Sequence, residues 1–226
     1  FIEHPGQKVE SKLRVTPKDL IFIILNEHDQ AHDLENKLKE IYASDIHVIK
    51  LDKVTRGAAE TAYQAKDLVD PEEDVIFSDS DHYFNGAPLA ELIQTKDAET
   101  AGIIPVFTPP NDGIPRWSYS LTTPGGDNIE QVGEKDVELM KKGAYANIGA
   151  YYFSRAKVFF DEVREVIDKN EMTGDEGKKE FFIAPIYQRL INKGLKLQAA
   201  LIPEVWGLGT PQDLEYFMAN CPIINP

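Results

Sequence analysis

The chain has 226 residues, 42% of them hydrophobic, and a formal charge of −14 from 38 acidic and 24 basic side chains. That supports one large domain with its own core. The acidic balance argues against duplex DNA or RNA, whose phosphates call for a basic surface, and against an anionic membrane.

Taken in chain order, Asp19–Leu25 is a continuous apolar run and predicts a buried strand. Ala31, Leu34, Leu38, Ile41 and Tyr42 recur at helical spacing, with the helix starting at Gln30 and both His28 and His32 on the surface. Ile46–Leu51 predicts a second strand; Ala58, Ala62, Ala65 and Val69 predict the inner stripe of a second helix. Val75–Phe77 is a third strand, Pro88–Ile93 a short helix, and Ala101–Phe107 a fourth strand. Alternation of strand and helix over the first hundred residues predicts an α/β fold with a mostly parallel sheet covered on both faces. The second half predicts strands at Trp117–Leu121 and Asn128–Val132 around Gly125-Gly126, then one strand over Ala144–Phe153. Two helices follow, one through Val158–Val166 and one through Phe182–Leu190 that ends at Gly194, then a strand over Leu195–Ile202. The last helix opens at Thr210, with Pro211 at its first position and Asp213 where a capping-box acid stands. A single domain over 1–226 is expected, with no apolar run near the ~20 residues that span a bilayer and no visible signal peptide. The single Cys221 allows no internal disulfide and suits a reducing cytoplasm.

The most informative segment is Val75-Ile76-Phe77-Ser78-Asp79-Ser80-Asp81-His82. An apolar strand delivers two carboxylates to its C-terminal end, where α/β sheets bind ligands. Two acids so close repel unless a cation sits between them or one stays protonated. Mg²⁺ or Mn²⁺ held by Asp79 and Asp81 beside phosphate oxygens meets that need better than a pair of solvated capping carboxylates. A second segment, Thr55-Arg56-Gly57-Ala58-Ala59-Glu60-Thr61, enters a helix directly after a strand. Gly57 there leaves backbone open to a flat or anionic ligand, although small residues at a helix start also simply pack tightly. Glu134-Lys135 offers a point charge for a phosphate but equally reads as a surface ion pair. Glu180 precedes an apolar helix, a common place for an acid. Trp206-Gly207-Leu208-Gly209-Thr210-Pro211 implies a tight backbone path.

The order of these segments resembles the sugar-phosphate nucleotidyltransferases, particularly the capsule and surface-glycan type. The resemblance rests on Gly57 to Thr61, Ser78 to His82, Trp117 to Tyr119, Glu134-Lys135, Gly149 to Phe153, Glu180 to Tyr187 and Trp206 to Leu214, and spans Leu20 to Phe217. It implies a three-layer GT-A-like Rossmann fold, with 1–107 binding the nucleotide and 108–226 the acceptor. It further implies that Asp81 holds Mg²⁺ at the nucleotide α-phosphate and that Gly57 and Ala58 present backbone to the base. Lys135 would hold the acceptor phosphate, and Trp117, Asn147, Gly149 and Glu180 would line the acceptor pocket. The family's Gly-x-Gly-x-Arg loop would lie ahead of Phe1, and Ile2 to Arg14 is short for the strand and helix expected there.

The expected partners are therefore an NTP and a phosphorylated small molecule, with release of pyrophosphate. Asp52, five residues before Gly57, can only accept hydrogen bonds and so favours cytosine and CTP. Trp117, Tyr119, Tyr145 and Trp206 could stack on a sugar or cage a quaternary amine. Two other functions fit the residues: a GT-A glycosyltransferase that uses Asp79-Ser80-Asp81 on a UDP-sugar, and a non-catalytic nucleotide-binding protein.

Overall fold

A seven-stranded mixed sheet with helices on both faces forms the body of the molecule, preceded by a separate two-stranded parallel unit. The computed structural model describes residues 13, 15–174 and 177–222. The expectation about Ile2 to Arg14 therefore lies outside the described residues, Leu13 apart.

β1 (Ile21–Leu25) pairs in parallel with β2 (His47–Leu51) and with no other strand among the described residues. Between them the predicted helix is two, α1 (Asn26–His32) and α2 (Leu34–Tyr42), broken where Asp33 takes a left-handed φ of 53°. His28 thus lies inside α1 rather than before it, and both histidines are exposed. After β2 comes α3 (Ala58–Tyr63), whose inner residues are Ala59 and Ala62; Ala58 faces outward, and the helix ends before Ala65, buried in the following turn, and Val69, both expected within it. β3 (Val75–Ser78) is followed by a short β4 (His82–Phe84), α4 (Ala87–Thr95) and β5 (Thr100–Phe107).

The second half supplies β6 (Ser118–Thr122), β7 (Ile129–Glu134), α5 (Val137–Lys141), β8 (Tyr145–Asn147), β9 (Ala150–Phe153) and α6 (Ala156–Asp168). It closes with α7 (Ala184–Asn192), β10 (Lys196–Leu201), β11 (Val205–Gly207) and α8 (Pro211–Asn220). Thr210 caps α8 as its sequence predicts: its Oγ1 accepts the Asp213 N–H at 3.1 Å and donates to the Asp213 carboxylate at 2.6 Å.

The expectation of a mostly parallel sheet is corrected. Only β5 and β10 run parallel; the other five pairings in the sheet are antiparallel. β9 accounts for two of them, because it runs antiparallel between β3 and β5, which the strand–helix–strand pattern would make neighbours; β6, β7 and β8 make the other three. The run Ala144–Phe153 is also not one strand. Gly149, at φ 91°, breaks it, so that β8 pairs with the end of β5 and with β6 while β9 pairs with the start of β5 and with β3.

Alternation along β5 distributes the core. Ile104 and Val106 join the large cluster under α3, α6 and α7, whereas Ile103 meets Leu89 of α4 on the opposite face. α6 and α7 are tied together by buried Glu162, which pairs with Arg189 at 2.9 Å and with Lys193. No helix among the described residues is long and apolar enough to cross a membrane.

Candidate active site

Each of the two acids at the end of β3 sits over a glycine. The Asp79 N–H donates to the Gly149 carbonyl at 2.9 Å and prolongs the β3–β9 ladder by one step. A Cβ on Gly149 would stand 2.5 Å from Asp79 Oδ2, so the carboxylate occupies the space that only glycine leaves. Asp81 points the other way along the loop. Its carbonyl accepts the Leu208 N–H at 2.7 Å, and its Oδ2 would lie 3.1 Å from a Cβ on Gly209. His82 Nδ1 is 2.8 Å from Asp81 Oδ1 but is not aligned for a hydrogen bond. The Gly207-Leu208-Gly209 segment is thus a seat for Asp81, and β11, which ends at Gly207, holds it there by pairing with β4.

Asp79, not Asp81, enters the cleft. This cavity of about 180 Å³ opens between the start of α3, the ends of β7, β8 and β9, and the loop before α7. Ala58, Asp79, Trp117, Asn147 and Gly149 line it together, as does Glu134, whose carboxylate accepts a hydrogen bond from the Ser118 hydroxyl. Protein crowding, and then the charge of Asp81, push the Asp79 carboxyl up to about 6, with His82 acting the other way. Burial likewise raises Glu134. Tyr151, a buried residue that also lines the cleft, has its phenol raised by burial and then by the charges of Asp79 and Glu134.

These shifts fix a sign for stability. An acid with a raised native pKa keeps a proton in the folded state that the unfolded chain has already released, so its contribution is largest below about pH 4 and is lost as pH rises toward 6. The urea midpoint of wild type minus that of Asp79→Asn should therefore fall across that window, measured without divalent cations. A flat difference would show that Asp79 titrates as a free carboxyl.

The remaining expected residues do not line the cleft. Gly57 precedes α3 at φ 142°, and the side on which a Cβ would stand is filled by the backbone of Phe181, 2.5 Å away at N and 2.7 Å at O. Its smallness serves that packing, and the Ala59 N–H is already donated to the Phe181 carbonyl at 2.8 Å. Lys135 has a left-handed φ of 48° and places Nζ 6.0 Å from the ring centre of Phe182, which lines the cleft. Glu180 is exposed and paired in an antiparallel bridge with Thr173, four residues before α7 begins. It is close enough for its charge to act on Glu134. Asp52 is exposed at the end of β2, where Asn26 donates to it at 3.3 Å.

Of the four aromatics, only Trp117 lines the cleft. Tyr119 is fully buried beside Leu139 and Ala146, Tyr145 packs on the main core, and Trp206 borders a separate groove of about 580 Å³ with Phe107 and Tyr216. Glu134 as a lining acid was available from the Glu-Lys pair, where the lysine draws attention first. Phe182 gave no signal, because its place depends on the path of the loop before α7.

No group of three or more His, Cys, Asp and Glu residues suited to a metal occurs among the described residues. The charge of Asp81 reaches the Asp79 carboxyl. That donor set fits Mg²⁺, which binds through one or two carboxylates and completes its shell with phosphate oxygens and water.

Several solved structures share this architecture. A nucleoside-diphosphate-sugar pyrophosphorylase from Vibrio cholerae RC9 is 25% identical, with a TM-score of 0.68 over 88% of this chain and 80% of that one. A putative glucose-1-phosphate thymidylyltransferase from Bacillus anthracis is 18% identical, at 0.65 over 89% and 75%. An inositol-1-phosphate CTP transferase from T. maritima is 15% identical, at 0.63 over 91% and 74%. No curated protein is similar enough to the chain to match it. The profile of the Nucleotidyl transferase family matches residues 7–220, almost the whole length. A family match of that extent, on a mixed α/β fold shared with pyrophosphorylases, means that the chain belongs to the nucleotidyl transferases and is an enzyme of that kind.

Proposed function

We propose that the protein joins an NTP to a phosphorylated sugar or small alcohol, releasing pyrophosphate, and so supplies an activated precursor for capsule or surface-glycan synthesis in the cytoplasm. The observation that carries this reading is the Asp79 carboxylate, seated over Gly149 in a cleft shared with Ala58 at the start of α3, with Asp81 beside it. A phosphate oxygen of the acceptor attacks the α-phosphorus of the NTP, the bond to the β-phosphate oxygen breaks, and pyrophosphate departs in line. That oxygen is already ionised, so the chain's work is positioning and charge neutralisation rather than proton abstraction. Mg²⁺, or Mn²⁺ in its place, held by Asp81 and Asp79 supplies positive charge to the phosphates when bound.

Trp117, Asn147 and Gly149 hold the body of the acceptor, with Glu180 at the rim. Lys135, beside Phe182, anchors the acceptor phosphate. Gly57 and Ala58 flank the base. Preference for CTP rests on Asp52 accepting from the amino group of cytosine. The Vibrio cholerae structure, a nucleoside-diphosphate-sugar pyrophosphorylase by its description, supports a sugar phosphate as acceptor.

The test follows product identity. Incubation with each NTP, Mg²⁺ and a panel of hexose 1-phosphates and phosphocholine should release pyrophosphate, with CTP the best donor. Free UDP from a UDP-sugar, without pyrophosphate from any NTP, would instead identify a glycosyltransferase acting through Asp79-Ser80-Asp81. Nucleotide binding with neither product would leave a non-catalytic nucleotide-binding protein.

A further inference from the structure

Two serines of β6, Ser118 and Ser120, each hold a side chain of the cleft. Strand alternation puts them on one face, while Tyr119 between them enters the apolar cluster with Leu139 and Ala146. Ser118 donates to the Glu134 carboxylate, and Ser120 Oγ donates to Asn147 Oδ1 at 2.7 Å. Ser120 is completely buried and does not line the cleft, so any influence on a ligand must pass through its neighbours. Asn147 is 4% exposed and does line the cleft, and its Nδ2 is buried with no hydrogen-bond partner.

An unpartnered buried amide is costly, and proteins keep such groups where a ligand or an ordered molecule completes them. A carboxamide has one accepting and one donating end. With the Ser120 hydroxyl on the oxygen, the free end is the donor. We infer that Ser120 is a positioning residue that orients the Asn147 amide so that Nδ2 donates to an oxygen of the acceptor in the cleft. The inference rests on the reading of this cleft as the acceptor pocket. It also gives the site a polarity: a fixed donor at Asn147 lines the same cleft as the carboxyl groups of Glu134 and Asp79 and the guanidinium of Arg116, a pattern that suits a molecule carrying both hydroxyl donors and oxygen acceptors.

Calorimetric titration with glucose 1-phosphate, and with phosphocholine as a second probe, tests it in wild type, Ser120→Ala, Asn147→Ala and the double variant. Asn147→Ala should bind about tenfold more weakly, and Ser120→Ala several-fold more weakly, at roughly the scale of one lost hydrogen bond. The double variant should bind no worse than Asn147→Ala alone, because Ser120 acts only through Asn147. Ser120→Cys keeps the volume with a weaker donor, so it should retain the wild-type melting temperature and still lose affinity. Asn147→Asp, which replaces the donor by a third carboxylate, should bind worse than Asn147→Ala. Wild-type affinity in Ser120→Ala and Ser120→Cys would overturn the inference while leaving the acceptor pocket standing, as would a further loss on adding Ser120→Ala to Asn147→Ala. Wild type that binds neither probe would remove the pocket itself, and the role of Ser120 with it.

Discussion

Gly57→Ala should destabilise the protein by about 3–5 kcal/mol, enough to leave much of it unfolded if its total stability is in the usual range of ~5–15 kcal/mol. Two costs combine. At φ 142° an L side chain is strained before any neighbour is considered. The added Cβ would then lie 2.5 Å from Phe181 N and 2.7 Å from Phe181 O, and these are backbone atoms that cannot rotate away. Phe181 is fixed from both sides, since its N–H donates to the Arg56 carbonyl at 2.9 Å and its carbonyl accepts from the Ala59 N–H at 2.8 Å. Relief would require parting the start of α3 from the loop before α7. Those are the segments that bring Ala58 and Phe182 to the cleft, so binding should fail together with stability. Urea denaturation with a paired nucleotide titration measures both; a loss under about 1 kcal/mol would mean that the close approach is readily relaxed.

Asp81→Ala should lower Mg²⁺-dependent pyrophosphate release by at least about a hundredfold while the protein stays folded, as expected for removal of a group that neutralises phosphate charge. The fold survives because the structural bond at this position is made by the main chain, from Leu208 N–H to the Asp81 carbonyl at 2.7 Å. The side chain itself is 52% exposed and lies against His82 and Gly209. The same substitution removes one of the two causes that raise the Asp79 carboxyl, which should shift back toward the ordinary carboxylate range. Two readouts therefore move together: turnover at saturating Mg²⁺, and the pH dependence of stability carried by Asp79. Near-normal turnover with a shifted Asp79 would keep the electrostatic coupling and dismiss Asp81 as a metal ligand.

The segments that carry chemistry were legible where local sequence settles local structure. The apolar run into Asp79 and the Thr210-Pro211-Asp213 cap each take the conformation that their residue types dictate. Gly57 was found for its smallness, but sequence could not say that the neighbour filling the space is Phe181, 124 positions away, rather than a ligand. Long-range pairing decided the rest. β9 enters the sheet between β3 and β5 and, with β6, β7 and β8, turns an expected parallel sheet into a mixed one, and Gly149 splits one apolar run between two sets of partners. The same topology chose Asp79 for the cleft and turned Asp81 toward Gly209, although only one residue separates the two acids. Residue type fixes which backbone conformations and which charges are available within a few positions of the chain. Which of those charges face one another depends on strand partners brought from a hundred residues away, and that information resides in the packed sheet.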